Sequence, residues 1–119
     1  MKNKNLLHSF KHAFAGIYSC LKAEKNIKIH YSVMVLVIIA GFIYKISTYE
    51  WLLCILCFGM VIATEMVNTA IEFNTDLAMP NINPKAKLAK DIAAGAVLIT
   101  VITSVIIGLT IFIPKIFTI

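Results

Sequence analysis

Apolar residues run in three long blocks, each bounded by charge. Between Lys28 and Lys45 lie 16 residues without Lys, Asp or Glu. Between Glu50 and Glu65 lie 14, and between Asp91 and Lys115 lie 23. At ~1.5 Å per residue the third block reaches roughly 35 Å, enough for a hydrocarbon core of ~30 Å. The first two blocks are too short alone and require helix that continues past their charged ends. The expected transmembrane helices cover about residues 27–46, 50–72 and 91–113.

A different pattern precedes them. On a helical wheel Leu6, Leu7, Phe10, Ala13, Phe14, Ile17, Tyr18 and Leu21 share one sector of about 140°. Lys4, His8, Lys11, His12 and Lys22 fall outside it. This predicts an amphipathic helix over about residues 5–22, lying on a membrane surface. The connections are marked as well. Met79-Pro80-Asn81-Ile82-Asn83-Pro84 breaks the second span, with Asn83 as N-cap and Pro84 as first helical residue of the third. Pro114 is expected to end the third span. Thr48-Tyr49-Glu50-Trp51 is expected to form the outer connection, with Tyr44, Tyr49 and Trp51 as an aromatic belt. The start Met-Lys-Asn-Lys-Asn lacks the early apolar region of a secretory signal, so the mature protein is expected to keep its N-terminus. No internal repeat or linker divides residues 1–119, which read as a single domain.

Composition agrees. The chain is 60% hydrophobic and 14% charged, with a mean hydropathy of +0.87. Soluble domains are nearer half apolar and a quarter charged. The fold class is therefore an all-α membrane protein, with three transmembrane helices and an N-terminal surface helix.

The charges orient it. All 11 basic residues are Lys. Lys2, Lys4, Lys11, Lys22, Lys25, Lys28, Lys85, Lys87 and Lys90 fall on one side of the spans, and Lys45 and Lys115 on the other. This bias predicts a cytoplasmic N-terminus and an external C-terminus. It also accounts for the basic balance through anionic headgroups. Nucleic-acid binding is not expected of a lipid-bound chain without Arg.

Four of the six acids, Glu65, Glu72, Asp76 and Asp91, crowd beside the most apolar sequence. If Trp51 marks the outer boundary, Glu65 lies about 21 Å deeper and Glu72 about 31 Å deeper. Glu65, Asn68, Thr69, Glu72 and Asp76 share a sector of about 100°, with Met66, Val67, Ala70 and Ile71 outside it. A charge at mid-bilayer costs about 2.5–3.5 kcal/mol on insertion scales, which anchoring alone does not require. Asp76 and Asp91 also read as solvated charges near helix ends. The face at the cytoplasmic end, beside Lys90, has the ingredients of phosphoryl transfer: carboxylates for Mg2+, a carboxylate base and a cation for phosphate. The alternative is a small cation- or proton-coupled transporter using Glu65.

The segment from Glu65 to Asp76 fits E-x-x-N-[ST]-A-x-E-x-x-x-D at every fixed position. It resembles the signature of the bacterial integral-membrane diacylglycerol kinase family, whose Gram-positive branch includes undecaprenol kinases. Glu24-Lys25-Asn26-Ile27-Lys28-Ile29-His30 resembles the family's entry to the first span, and Ala89 to Leu98 its entry to the third. The chain departs at Ala15 and Lys28, where a basic residue and Arg are usual in Gram-positive relatives. The resemblance implies a homotrimer in the bacterial cytoplasmic membrane, with its active site at the cytoplasmic face. It implies transfer of the ATP γ-phosphate to a lipid hydroxyl, of diacylglycerol or undecaprenol. Glu65 would be the catalytic base, contacting the lipid together with Asn68. Glu24 and Glu72 would hold Mg2+ with the ATP phosphates, and Asn68, Asp76, Lys90 and Asp91 would complete the nucleotide site.

Other signals point elsewhere or nowhere. No G-x-x-x-x-G-K-[ST] run or protein-kinase motif is present. Cys54 and Cys57 form C-x-x-C, but at lipid depth, where buried small side chains are the simpler reading than redox chemistry. Cys20 reads as a reduced thiol, and His30 as a helix-packing or headgroup contact.

Overall fold

The computed structural model describes residues 5–118, which form four helices: α1 (Leu6–Ala23), α2 (Lys25–Ile43), α3 (Thr48–Ala78) and α4 (Pro84–Thr118). Among them α2, α3 and α4 are long and apolar enough to cross a membrane. Lys2 and Lys4 of the basic N-terminal cluster lie outside the described residues.

Each boundary has a local cause. Asn5 starts α1 by accepting a hydrogen bond from the His8 amide at 2.8 Å. A single extended residue, Glu24 (φ −102°, ψ 119°), separates α1 from α2. Its amide still donates to the Cys20 carbonyl at 3.0 Å, so the chain pivots within one residue. Glu24 makes no side-chain cap to α2, which leaves its carboxylate free for another partner.

The turn from α2 to α3 is a Schellman closure. The Ile46 amide donates to the Gly41 carbonyl at 3.1 Å, and Lys45 takes the left-handed position with φ 50°. Ser47 and Glu50 then form a reciprocal capping box. The Glu50 amide donates to Ser47 Oγ at 3.2 Å, and the Ser47 amide to Glu50 Oε1 at 2.8 Å. This cap starts α3 at Thr48. The connection from α2 to α3 is therefore 44–47, and Thr48-Tyr49-Glu50-Trp51 is its helical sequel rather than the connection itself.

At the turn between α3 and α4 Asn83 Oδ1 accepts from the amides of Lys85 (2.9 Å) and Ala86 (3.2 Å), fixing the start of α4 at Pro84. Pro114 does not end α4, which continues to Thr118. Proline removes one amide donor from the ladder. The turn beyond it is tied back by Lys115, whose Nζ donates to Glu50 Oε2 at 2.7 Å.

The helices also extend further than the apolar blocks. The 31 residues of α3 correspond to roughly 46 Å, and the helix therefore outreaches a ~30 Å hydrocarbon core by several turns. Packing is uneven. α3 and α4 form the main antiparallel pair, α2 leans on α3 more lightly, and α1 touches both α2 and α3 near the Glu24 pivot. The end of the bundle near the α2–α3 turn holds a core cluster built from Ile46, Cys54 and Ile111 with Trp51, Phe58 and Phe112 around it. Cys54 and Cys57 are buried free thiols there, serving as small core side chains. Much of the apolar surface of α2 and α4 remains uncovered, including Leu36, Phe42, Leu98, Ile99 and Ile106.

Candidate active site

The polar face of α3 begins in its most enclosed stretch. Glu65 is 2% exposed, and Asn68 and Thr69 are buried beside it. One turn on, Glu72 is half-buried, and Asp76 is exposed. Burial thus falls steadily along one helix face, from an enclosed carboxylate to a solvated one.

Other elements supply partners at each level. His30 on α2 brings its Nε2 to 3.1 Å from Glu65 Oε2. With Glu65 ionised the carboxylate can only accept, so Nε2 carries the proton and donates. Thr69 Oγ1 lies 3.0 Å from Glu24 Oε2 and 3.0 Å from the Glu65 carbonyl. Its single proton serves one acceptor at a time. The Cys20 thiol donates weakly to the same hydroxyl at 3.9 Å. Asn68 Nδ2 donates to Glu72 Oε1 at 2.9 Å, while Asn68 Oδ1 is buried without a partner among the described residues.

α4 closes the opposite flank. Lys90 Nζ crosses to Asp76 Oδ1. Lys87 Nζ pairs with Asp91 Oδ2 at 2.7 Å on α4 itself. Thr64 and Thr100 hydroxyls meet at 3.1 Å and tie α3 to α4 at the level of Glu65.

The residues expected from the sequence therefore divide. Glu24, Glu65, Asn68, Glu72, Asp76 and Lys90 fall along one connected face. Asp91 turns to Lys87 and away from them, on an exposed part of α4. His30 was expected to serve packing or headgroup contact, and it joins the face as the partner of Glu65 instead. Its signal in the sequence is a lone imidazole inside the apolar block after Lys28. The departures at Ala15 and Lys28 are both exposed.

Among the described residues no three His, Cys, Asp or Glu side chains converge as a ready-made metal cage. Mg2+ does not require one. It usually takes one or two carboxylates and completes its octahedron with phosphate oxygens and water. Glu24 and Glu72 each use one oxygen towards Thr69 and Asn68, and each keeps a second oxygen for a hard cation. The donor set fits an ion that arrives with a nucleotide.

The cavity beside this face is apolar. It has a volume of about 410 Å3 and lies between α2, α3 and α4. Its lining includes Val33, Val37, Val61 and Val105, and His30 is the one imidazole on its wall. A buried carboxylate, a nucleotide-compatible rim and an adjacent apolar space are what a kinase of lipid alcohols needs.

Known proteins share this arrangement of sequence. Residues 11–112 match the family described as prokaryotic diacylglycerol kinase. The chain is 43% identical to an undecaprenol kinase of Bacillus subtilis, over 90% of this chain and 87% of that protein. It is 36% identical to a diacylglycerol kinase of Synechocystis, over 92% of this chain and 63% of that protein. With the fold, the buried acidic face and these similarities together, the chain belongs to the prokaryotic diacylglycerol kinase family and is a membrane lipid kinase.

Proposed function

We propose that the protein phosphorylates undecaprenol, using Mg2+ and ATP, at the cytoplasmic face of the bacterial cytoplasmic membrane. The observation that carries the chemistry is the enclosed Glu65 carboxylate, held by His30 at 3.1 Å on the face that leads to Glu72 and Lys90. The choice of lipid rests on the similarity to the Bacillus subtilis undecaprenol kinase, which spans nearly the whole of both chains. The Lys distribution supports the orientation.

Glu65 accepts the proton of the lipid hydroxyl as that oxygen attacks the γ-phosphorus. The bond from the γ-phosphorus to the β,γ-bridging oxygen breaks, and ADP leaves. Asn68 would contact the lipid beside Glu65, one turn along the same face, with a buried Oδ1 that no described residue engages. Glu24 and Glu72 would hold Mg2+, whose charge offsets that of the phosphates when it is bound. Lys90, now on Asp76, supplies a phosphate contact from α4, with Asp76 beside it, while Asp91 would join only by leaving Lys87. Positioning and charge neutralisation carry most of such a transfer. A homotrimer is part of this reading. The uncovered apolar flanks of α2 and α4 support further helix packing, and the family resemblance implies three copies.

The test is a side-by-side phosphorylation assay of the purified protein with undecaprenol and with diacylglycerol, with and without Mg2+. The expected result is faster phosphorylation of undecaprenol and no product without the metal. Phosphorylation of diacylglycerol alone would overturn the substrate assignment, and no phosphorylated lipid from either would overturn the reading. Native mass spectrometry in detergent tests the trimer.

A further inference from the structure

His30 makes the only side-chain hydrogen bond from α2 to α3 among the described residues. Its partner is the most enclosed acid of the chain, 2% exposed against 22% for the His30 side chain. An ionised carboxylate in such a place is costly unless another group satisfies it. No other side chain hydrogen-bonds the Glu65 carboxylate among the described residues, since Thr69 reaches only its backbone carbonyl.

The contact engages one oxygen, Oε2, and leaves Oε1 open. His30 also lines the apolar cavity between α2, α3 and α4. Its ring therefore touches both the enclosed carboxylate and the apolar space beside it. α2 leans lightly on α3, and the imidazole is the polar tie between them among the described residues. A carboxylate with neither oxygen held could turn about its own side chain, and a displacement of about 1 Å costs up to about 100-fold in rate.

We propose that His30 is a positioning residue for the reaction: its Nε2–H holds Glu65 Oε2 so that Oε1 faces the lipid hydroxyl. This rests on the assignment of Glu65 as the base. In the transfer the hydroxyl proton passes to Glu65 Oε1, and the His30 hydrogen bond to Oε2 persists throughout. His30 itself neither gains nor loses a proton.

The experiment compares His30→Gln, His30→Phe and His30→Leu with the wild type and with Glu65→Gln, in detergent with the preferred lipid alcohol. Gln can donate a hydrogen bond where Nε2 does. Phe keeps the ring, and Leu gives a second apolar replacement should Phe fail to fold. For Phe or Leu, kcat is expected to fall roughly 10- to 100-fold with KM for ATP unchanged, and Gln is expected to restore most of it. Apolar variants with wild-type kcat would overturn the positioning role. So would an equal loss in Gln and the apolar variants, or a loss confined to KM for ATP. Glu65→Gln decides the underlying reading separately. If it is inactive, a normal His30→Phe counts against positioning alone; if it is active, the base assignment itself fails.

Discussion

Thr69 Oγ1 and Glu24 Oε2 meet at 3.0 Å across 45 positions of sequence. That contact fastens the pivot between α1 and α2 to the polar face of α3. It exists because Glu24 is the single extended residue between two helices and does not cap the second of them. A carboxylate that would otherwise sit at a surface joint is thereby delivered to the site.

Thr69→Val removes the hydroxyl while keeping the side-chain shape. If Glu24 holds the metal as proposed, the Mg2+ concentration for half-maximal lipid phosphorylation is expected to rise about 10-fold, the usual effect of losing a partner that orients a ligand. Thr69→Ser is expected to restore it. A Mg2+ titration of initial rate checks both, and an unchanged midpoint for Thr69→Val would show that the contact does not tune the metal site.

Glu65→Gln keeps the size of the side chain and its contact with His30, and removes the carboxylate proposed as the base. kcat is expected to fall by at least about 100-fold. Binding of a non-hydrolysable ATP analogue is expected to stay near the wild-type affinity. Glu72→Gln is expected to show the reverse emphasis, with weaker binding of the metal–nucleotide. Isothermal titration in detergent separates the two.

Lys90→Met removes the cation that reaches from α4 to Asp76. If that cation moves to a phosphate when nucleotide binds, KM for ATP is expected to rise about 10-fold, within the range of a charge-assisted hydrogen bond. Steady-state kinetics at saturating lipid measures this. An unchanged KM would leave Lys90 as the structural partner of Asp76 only.

Gly41→Ala tests the end of the bundle near the α2–α3 turn. A Cβ at position 41 would lie 2.5 Å from Trp51 Cη2, 2.8 Å from Trp51 Cζ2 and 3.1 Å from Ile46 Cδ1. The indole rests on bare backbone there, and cannot give way without leaving Phe42, its ring neighbour at 5.0 Å. Overpacking of this kind costs about 1–3 kcal/mol. Thermal unfolding in detergent is expected to show a lower Tm, and Trp51→Leu in the same chain is expected to recover part of it.

Cys54 and Cys57 sit in the membrane-spanning part of α3 with no disulfide between them. The double variant Cys54→Ala, Cys57→Ala is expected to retain lipid phosphorylation and to lose thermal stability through the emptied volume. Activity that disappears while the fold persists would give the thiols a chemical role.

The polar face of α3 was readable because one periodicity determines it. Glu65, Asn68, Glu72 and Asp76 lie on a single unbroken helix, so 3.6 residues per turn suffices to align them. The same arithmetic failed wherever a local cap moved a boundary. The Ser47–Glu50 box starts α3 before Trp51, and Lys115 holds a helical turn beyond Pro114. Contacts between helices were less accessible still. His30 meets Glu65 only because α2 presents that flank to α3, and no spacing within α2 states this. Asp91 follows Lys90 in sequence, yet successive helix residues point about 100° apart. Lys90 accordingly reaches α3 while Asp91 turns to Lys87. Glu65 taken alone was equally compatible with a transport carboxylate, and the family match removes that alternative.

The Glu50–Lys115 pair and the Trp51 shelf lie some 14 residues of α3 from Glu65, or about 21 Å. Changes that far apart, without shared partners, add nearly independently. That rim can therefore drift over evolutionary time, or be reinforced by engineering, without retuning turnover. A heat-resistant version of this enzyme is best sought by redesigning that rim, leaving the half that carries Glu65 untouched.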